Sequence, residues 1–199
     1  MGKLIFIRHG ETEKNLNDNL HAVNDPEILN AIGRDQMKKT AIEVKTLLSS
    51  KIYTSKEQRA IESAQILSGE LGIPIEKIEG VQERNWGVFT GKPWNEVKTV
   101  LDPLSLDERY EYIPPEGESW RVFESRLVAA IKKIVKHNKD KTIIVVTHGG
   151  AIRALMPYLL GVSREESFKY DPDNASLTVF DFENGKFTKI LVNNTSHLS

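Results

Sequence analysis

The chain contains no cysteine. That excludes disulfides, thiolate metal sites, iron–sulfur clusters and cysteine nucleophiles together. It fits a reducing compartment, so a cytoplasmic location is the expectation. An excess of one charge is missing too. Lys and Arg number 27 and Asp and Glu 28, a formal net charge of −1. General binding to nucleic acid or to a membrane surface needs a strong basic field, and neither is expected as a partner. No apolar run approaches the length of a membrane span, and the opening Met1-Gly2-Lys3-Leu4-Ile5-Phe6-Ile7-Arg8 meets charge too soon for a secretory signal. Repeats, low-complexity tracts and long linkers are absent. What is present is an ordinary globular composition, 39% hydrophobic and 28% charged over 199 residues. Residues 1–199 are read as one domain, long enough to bury about 70% of the surface its unfolded chain exposes.

Strand patterns alternate with helix patterns. Leu4-Ile5-Phe6-Ile7 is a continuous apolar run, as in a strand buried on both faces. Helical spacing follows at Ile32, Met37, Ala41, Val44 and Leu48, with Asn30 where an N-cap belongs. Ile52-Tyr53-Thr54 reads as a short strand. A helix is predicted from Glu57 to Leu71, stopped by Gly72 and Pro74. A long helix places Trp120, Phe123, Leu127, Ala130, Ile131 and Ile134 on one face, and Thr142 to Val146 is the clearest buried strand. Ala151 to Leu160 reads as a helix capped by Gly161. Ser176 to Phe182 and Lys186 to Val192, around Glu183-Asn184-Gly185, read as a β-hairpin. The expected fold is α/β, a three-layer sandwich with a mostly parallel central sheet and helices on both faces. Residues 81–118 differ. Rich in proline, glycine and aromatic residues, they are expected to form an irregular helical cap over the carboxyl edge of the strands, with most of the aromatics as core beneath a long loop.

In open α/β sheets, ligands bind beyond the carboxyl ends of the strands. Three strand ends carry Arg8-His9-Gly10-Glu11-Thr12, then Thr54-Ser55 with Arg59 one helical turn on, then Thr147-His148-Gly149-Gly150. Two arginines converging on one edge fit an anion that accepts paired hydrogen bonds, phosphate or carboxylate. Helix N-termini near Arg59 and His148 favour the same charge. A neutral imidazole among such donors can attack phosphorus, and fixed guanidinium groups can stabilise the equatorial oxygens of the transition state. The leaving alkoxide then needs a proton, from a carboxylic acid or a protonated histidine. Singly, each residue has a blander explanation: a turn for His-Gly, a surface ion pair for Arg8 or Arg59. The coincidence of two strand-end histidines with two arginines outweighs these. His21, His137 and His197 lie among polar neighbours and are expected to be solvated.

These residues resemble the histidine phosphatase superfamily, in its phosphoglycerate mutase-like branch. The resemblance rests on Arg8-His9-Gly10-Glu11-Thr12 with Asn15, on Leu29-Asn30 with Gly33 and Gln36, and on Ser55 with Arg59-Ala60 and Ser63-Ala64. It continues in Gln82-Glu83-Arg84-Asn85-Trp86-Gly87 with Gly91, in Pro115-Glu116-Gly117-Glu118-Ser119, and in Val146-Thr147-His148-Gly149-Gly150. Asn30 stands where the family usually has Thr, and Glu116 where it usually has Gly. The resemblance implies His9 as the nucleophile that becomes phosphorylated. Arg8, Arg59 and His148 would hold the phosphoryl group, joined by Asn15 and Gly149 in substrate binding. Glu83 would protonate the leaving group and later activate water. Glu11 and Thr12 would play supporting parts. No metal and no cofactor is implied.

Mutases and phosphatases of this kind share the phosphohistidine and differ in what accepts the phosphoryl group. The glycolytic mutases are longer and carry extra basic residues in the cap, whereas residues 81–118 offer only Arg84, Lys92, Lys98 and Arg109. The expected function is therefore a phosphomonoesterase acting on a small phosphorylated metabolite with some apolar surface. The alternatives are mutase-type phosphoryl transfer and, from another class, a non-catalytic phosphate-binding or interaction module. A metal-dependent hydrolase built on His9 and His148 lacks the Asp and His cluster that two metals need. A homodimer stays open.

Overall fold

The computed structural model describes residues 1–21 and 25–199. Leu4, Ile5, Phe6 and Ile7 lie fully buried in β1 (Gly2–Arg8). Side chains alternate along a strand, so Leu4 and Phe6 enter one apolar layer and Ile5 and Ile7 the other. The remaining strands are β2 (Lys51–Thr54), β3 (Ile75–Lys77), β4 (Thr142–Thr147), β5 (Leu177–Glu183) and β6 (Lys186–Asn194), in the sheet order β3-β2-β4-β1-β5-β6. The three pairings from β3 to β1 are parallel, and β5 runs antiparallel to β1 and to β6. The hairpin expected at the end of the chain thus caps one side of a mostly parallel sheet.

The helices are α1 (Glu13–Leu16), α2 (Ala31–Val44), α3 (Gln58–Leu71), α4 (Trp94–Leu101), α5 (Leu106–Glu111), α6 (Trp120–His137), α7 (Gly149–Leu160) and α8 (Arg164–Ser167). Residues of α6 and α7 share one layer with Leu4 and Phe6, and residues of α2 and α3 share the other with Ile5 and Ile7. Their ends follow the sequence signals. The Asn30 side chain accepts from Gly33 N–H at 2.8 Å and starts α2, and Ser119 caps α6 through Val122 N–H. Each such cap is worth about 1 kcal/mol. Gly72 and Gly161 end α3 and α7 with φ of 67° and 70°, a conformation glycine adopts without penalty.

Two expectations need correction. Ile32 and Leu48 do not join the buried face of α2. Both are exposed: Ile32 lies off the stripe that Gly33, Met37, Thr40, Ala41 and Val44 bury, and Leu48 sits beyond a tight turn at Lys45–Leu47 with φ of 50°. The edge strand β3 carries only three residues of weak pattern, too few for the sequence to declare. Among the described residues no helix is long and apolar enough to cross a membrane. Residues 81–118 hold a single 3-10 turn, α4 and α5, with a small apolar cluster of Trp86, Phe89, Val97 and Leu101.

Candidate active site

Strands β2, β4 and β1 are neighbours, and their ends are level: Arg8 pairs with Thr147, and Thr54 with Val146. The residues just beyond are therefore delivered side by side. His9 N–H donates to Thr147 O at 2.9 Å and Ser55 N–H to Val146 O at 3.2 Å, so the ladder extends one step past the sheet. The loop after His9 is fastened to α3, since Gly10 N–H donates to Ser63 Oγ and Ser63 in turn donates to Arg59 O. A close approach of α2 completes the seat. A Cβ on Gly33 would lie 2.2 Å from Glu11 O, so only glycine fits there.

The two imidazoles lie 5.2 Å apart between ring centroids. The His9 Nδ1–H donates to Gly10 O at 2.8 Å, which leaves the Nε2 lone pair free to accept from Arg59 Nε at 3.3 Å. Arg59 is fully buried and also donates through Nη2 to His148 Nδ1 at 3.0 Å. His148 Nε2 then carries the proton, within reach of Ser55 Oγ at 2.8 Å and Glu57 Oε2 at 3.1 Å. Burial first, and then the Arg59 charge, push both His9 and His148 below the ordinary imidazole range, His9 furthest. Burial would raise the Glu57 carboxyl, but His148, the Ser55 hydroxyl and Arg59 outweigh it and hold that group at about 2. The floor thus carries neutral imidazoles against fixed guanidinium charge.

Not every donor is occupied. Arg8 gives one N–H to Pro172 O at 2.6 Å, yet its buried Nε finds no partner, nor does Nη1 of Arg59. Leaving a buried charged donor unmatched is costly, and both arginines line a cavity of about 380 Å³. Arg8, His9, Asn15, Arg59, Glu83 and Gly149 all line it. His148, fully buried, is not among the lining residues and meets Arg59 through its Nδ1. Glu83 arrives from the loop after β3. Its Oε2 accepts from Gly150 N–H at 3.0 Å, at the N-terminus of α7, and its Oε1 from Arg84 N–H at 2.8 Å. A Cβ on Gly150 would stand 2.4 Å from that carboxylate, so the second glycine of the motif makes room for the acid.

Several contributors escaped the sequence reading. Arg126 clamps the Glu83 segment, donating to the carbonyls of Gly80, Gln82 and Glu83 while forming a bidentate pair with Glu118. Asn174 bridges His9 O and Asn15 Oδ1. Arg153 lines the cavity, and its signal was available: it is the one charged residue of α7. His21 is a correction. It is buried rather than solvated, 5.7 Å edge-on from His9, with its Nε2 3.0 Å from Thr12 Oγ1. Burial and the charge of Arg59 lower it to about 2. Its polar neighbours in sequence pointed outward, but the turn after α1 folds it back. His197 is half-buried against Thr40 Oγ1 at 3.0 Å, and His137 is exposed as expected. Glu116 occupies the family's glycine position with φ of 63°, a backbone conformation that favours glycine. Among the described residues no group of three or more His, Asp or Glu is placed to hold a metal ion.

Comparison with known proteins gives a consistent picture. A family model described as the histidine phosphatase superfamily (branch 1) matches residues 4–195. The chain is 31% identical to an uncharacterized phosphatase, PhoE, of Bacillus subtilis, over 100% of this chain and 98% of that protein. It is 29% identical to a 2,3-bisphosphoglycerate-dependent phosphoglycerate mutase of Thermoplasma acidophilum, over 92% and 88%. Among solved structures, a phosphoserine phosphatase mutant from Entamoeba histolytica in complex with phosphoserine superimposes with a TM-score of 0.85 at 28% identity, covering 100% of both chains.

Proposed function

Since the chain belongs to the histidine phosphatase superfamily, we propose that it hydrolyses small phosphomonoesters through a phosphohistidine formed on His9. The observation that carries this reading is an unprotonated His9 Nε2, held only by a long 3.3 Å contact from Arg59 Nε, beside unmatched buried N–H groups on Arg8 and Arg59. A phosphoryl group entering the cavity supplies the acceptors those groups lack, and its phosphorus comes to face the imidazole nitrogen.

In the first step His9 Nε2 forms a bond to phosphorus as the ester P–O bond breaks, and Glu83 gives its proton to the departing alkoxide. In the second, Glu83 takes a proton from water, the water oxygen attacks phosphorus, and the N–P bond breaks to release phosphate and restore His9. Arg8 and Arg59 keep their charge throughout and stabilise the three equatorial oxygens. His148 acts through Arg59, whose orientation it fixes. Hydrolysis is favoured over mutase transfer because the cap's one buried arginine is committed elsewhere. Arg84 donates to Glu118 O and Tyr112 O, which leaves the cap segment itself little to grip the carboxylate of an accepting phosphoglycerate.

The test is release of phosphate from p-nitrophenyl phosphate by enzyme dialysed against EDTA. Turnover should persist undiminished. Loss of activity restored by a divalent cation would replace this reading with a metal-dependent one, and no turnover under any condition would favour a binding module.

A further inference from the structure

A second cavity, of about 420 Å³, abuts the catalytic one. Arg84, Trp86, Trp94, Trp120 and Arg153 line both. The floor of the catalytic cavity is polar and cationic, whereas the second chamber sets five aromatic rings, Leu101 and Leu106 among charged side chains of both signs, Lys98, Asp102, Asp107, Arg109 and Glu165 beside its other arginines. Three of its four guanidinium groups stand over those rings. Arg84 stands 4.2 Å from the centre of the Trp86 ring and 5.6 Å from that of Trp120. Arg153 stands 5.2 Å from Trp120 and 5.4 Å from Phe168, and Arg164 3.6 Å from Tyr110. Such stacking spends the ring faces on holding cations in place. The buried Nε of Arg153, at the junction of the chambers, finds no acceptor. Phe168 and Leu106, which line the second chamber alone, are 48% and 44% exposed. Phosphoryl transfer needs none of this apolar surface.

We propose that this second chamber is the subsite for the leaving alcohol, and that the preferred substrates are phosphomonoesters whose alcohol carries a planar apolar ring a few bonds from the ester oxygen. The inference rests on the phosphomonoesterase reading and adds the substrate class to it. With phosphate against Arg8 and Arg59, a ring on a short spacer passes Arg153 and covers Phe168 and Leu106. A compact polar alcohol leaves that surface in water. The two chambers together have the size of a site for a ligand of some tens of atoms, larger than one phosphoryl group requires.

The experiment compares 3-phenylpropyl phosphate with propyl phosphate, whose alcohols differ little in acidity, so the bond-breaking step is matched. kcat/KM should favour the phenyl ester by about tenfold or more, the gain an apolar pocket gives for a well-fitted group. Phe168→Ala should reduce that ratio by about threefold or more, since the side chain is half-exposed and its removal spares the fold. Val100→Ala, at an exposed apolar residue bordering neither chamber, should leave the ratio unchanged. Binding of both esters to His9→Ala, followed by calorimetry, reads the same preference without turnover. Equal kcat/KM and equal affinity for the two esters overturn the subsite and leave the hydrolase reading standing. A tenfold binding preference without any turnover of either ester supports the subsite and removes the hydrolase reading. Tighter binding of phosphoserine than of the phenyl ester also overturns the subsite.

Discussion

On the floor of the catalytic cavity, backbone places the chemistry. His9, Ser55 and His148 follow level strand ends, and every imidazole nitrogen there has a defined partner. On the cover, side chains hold side chains: Trp86 meets Trp94 edge-on at 5.5 Å, Trp120 meets Phe168 at 6.4 Å, and arginines fill the spaces between. The floor answers to the phosphoryl group, which is the same in every substrate. The cover answers to the alcohol, which differs from one substrate to the next. Substitutions on the floor should therefore lower the rate for all esters together, and substitutions on the cover should change the order in which esters are preferred.

Glu83 offers the largest effect that separates the two regions, because it descends from the cover to act on the floor. Glu83→Gln keeps the shape and the bond from Gly150 N–H but removes the proton. Hydrolysis of alkyl phosphates should fall by about 10²-fold or more, the usual worth of a positioned general acid. p-Nitrophenyl phosphate, whose leaving group needs little proton assistance, should suffer much less. Equal losses with both would show that Glu83 acts on the floor's geometry and not on the alcohol's departure.

A smaller effect concerns stability. His9, His21 and His148 are buried with their pKa values below the ordinary imidazole value of about 6.5. Above that value neither folded nor unfolded chain holds the proton. Below it the unfolded chain binds protons that the folded floor refuses, so stability must fall as the pH falls. For His21, at about 2 when folded, the loss between pH 7.5 and 5.5 is about 1.4 kcal/mol. Urea unfolding of His21→Gln should show a pH dependence shallower by about that amount. An unchanged slope would mean that the third imidazole is not buried uncharged beside His9.

The floor was legible because its residues follow strong strands. The run Leu4 to Ile7 fixes where β1 ends, and Thr142 to Val146 fixes β4, so Arg8, His9 and His148 could be placed at one edge before any coordinates. The exposed Ile32 shows the limit of the same method on a helix with a weaker stripe. The supporting residues were hidden for a different reason. Asn174 reaches His9 O across 165 positions of chain, and no local pattern marks such a contact. His21 was misread because solvation was judged from sequence neighbours alone. The cover was the least legible part: the sequence places Trp86 and Trp94 in a segment whose aromatics read mostly as core and Trp120 on one face of a long helix, and only their positions show that they line both cavities.

The central claim is that His9 carries the phosphoryl group between ester and water. Rapid quenching of the enzyme with p-nitrophenyl phosphate, followed by mass mapping, tests it most directly. The account predicts one phosphoryl group on His9, lost in acid, retained in base, and absent from His9→Ala, which should be inactive. An adduct that survives acid, a phosphoryl group on any other residue, or near-normal turnover by His9→Ala would contradict it.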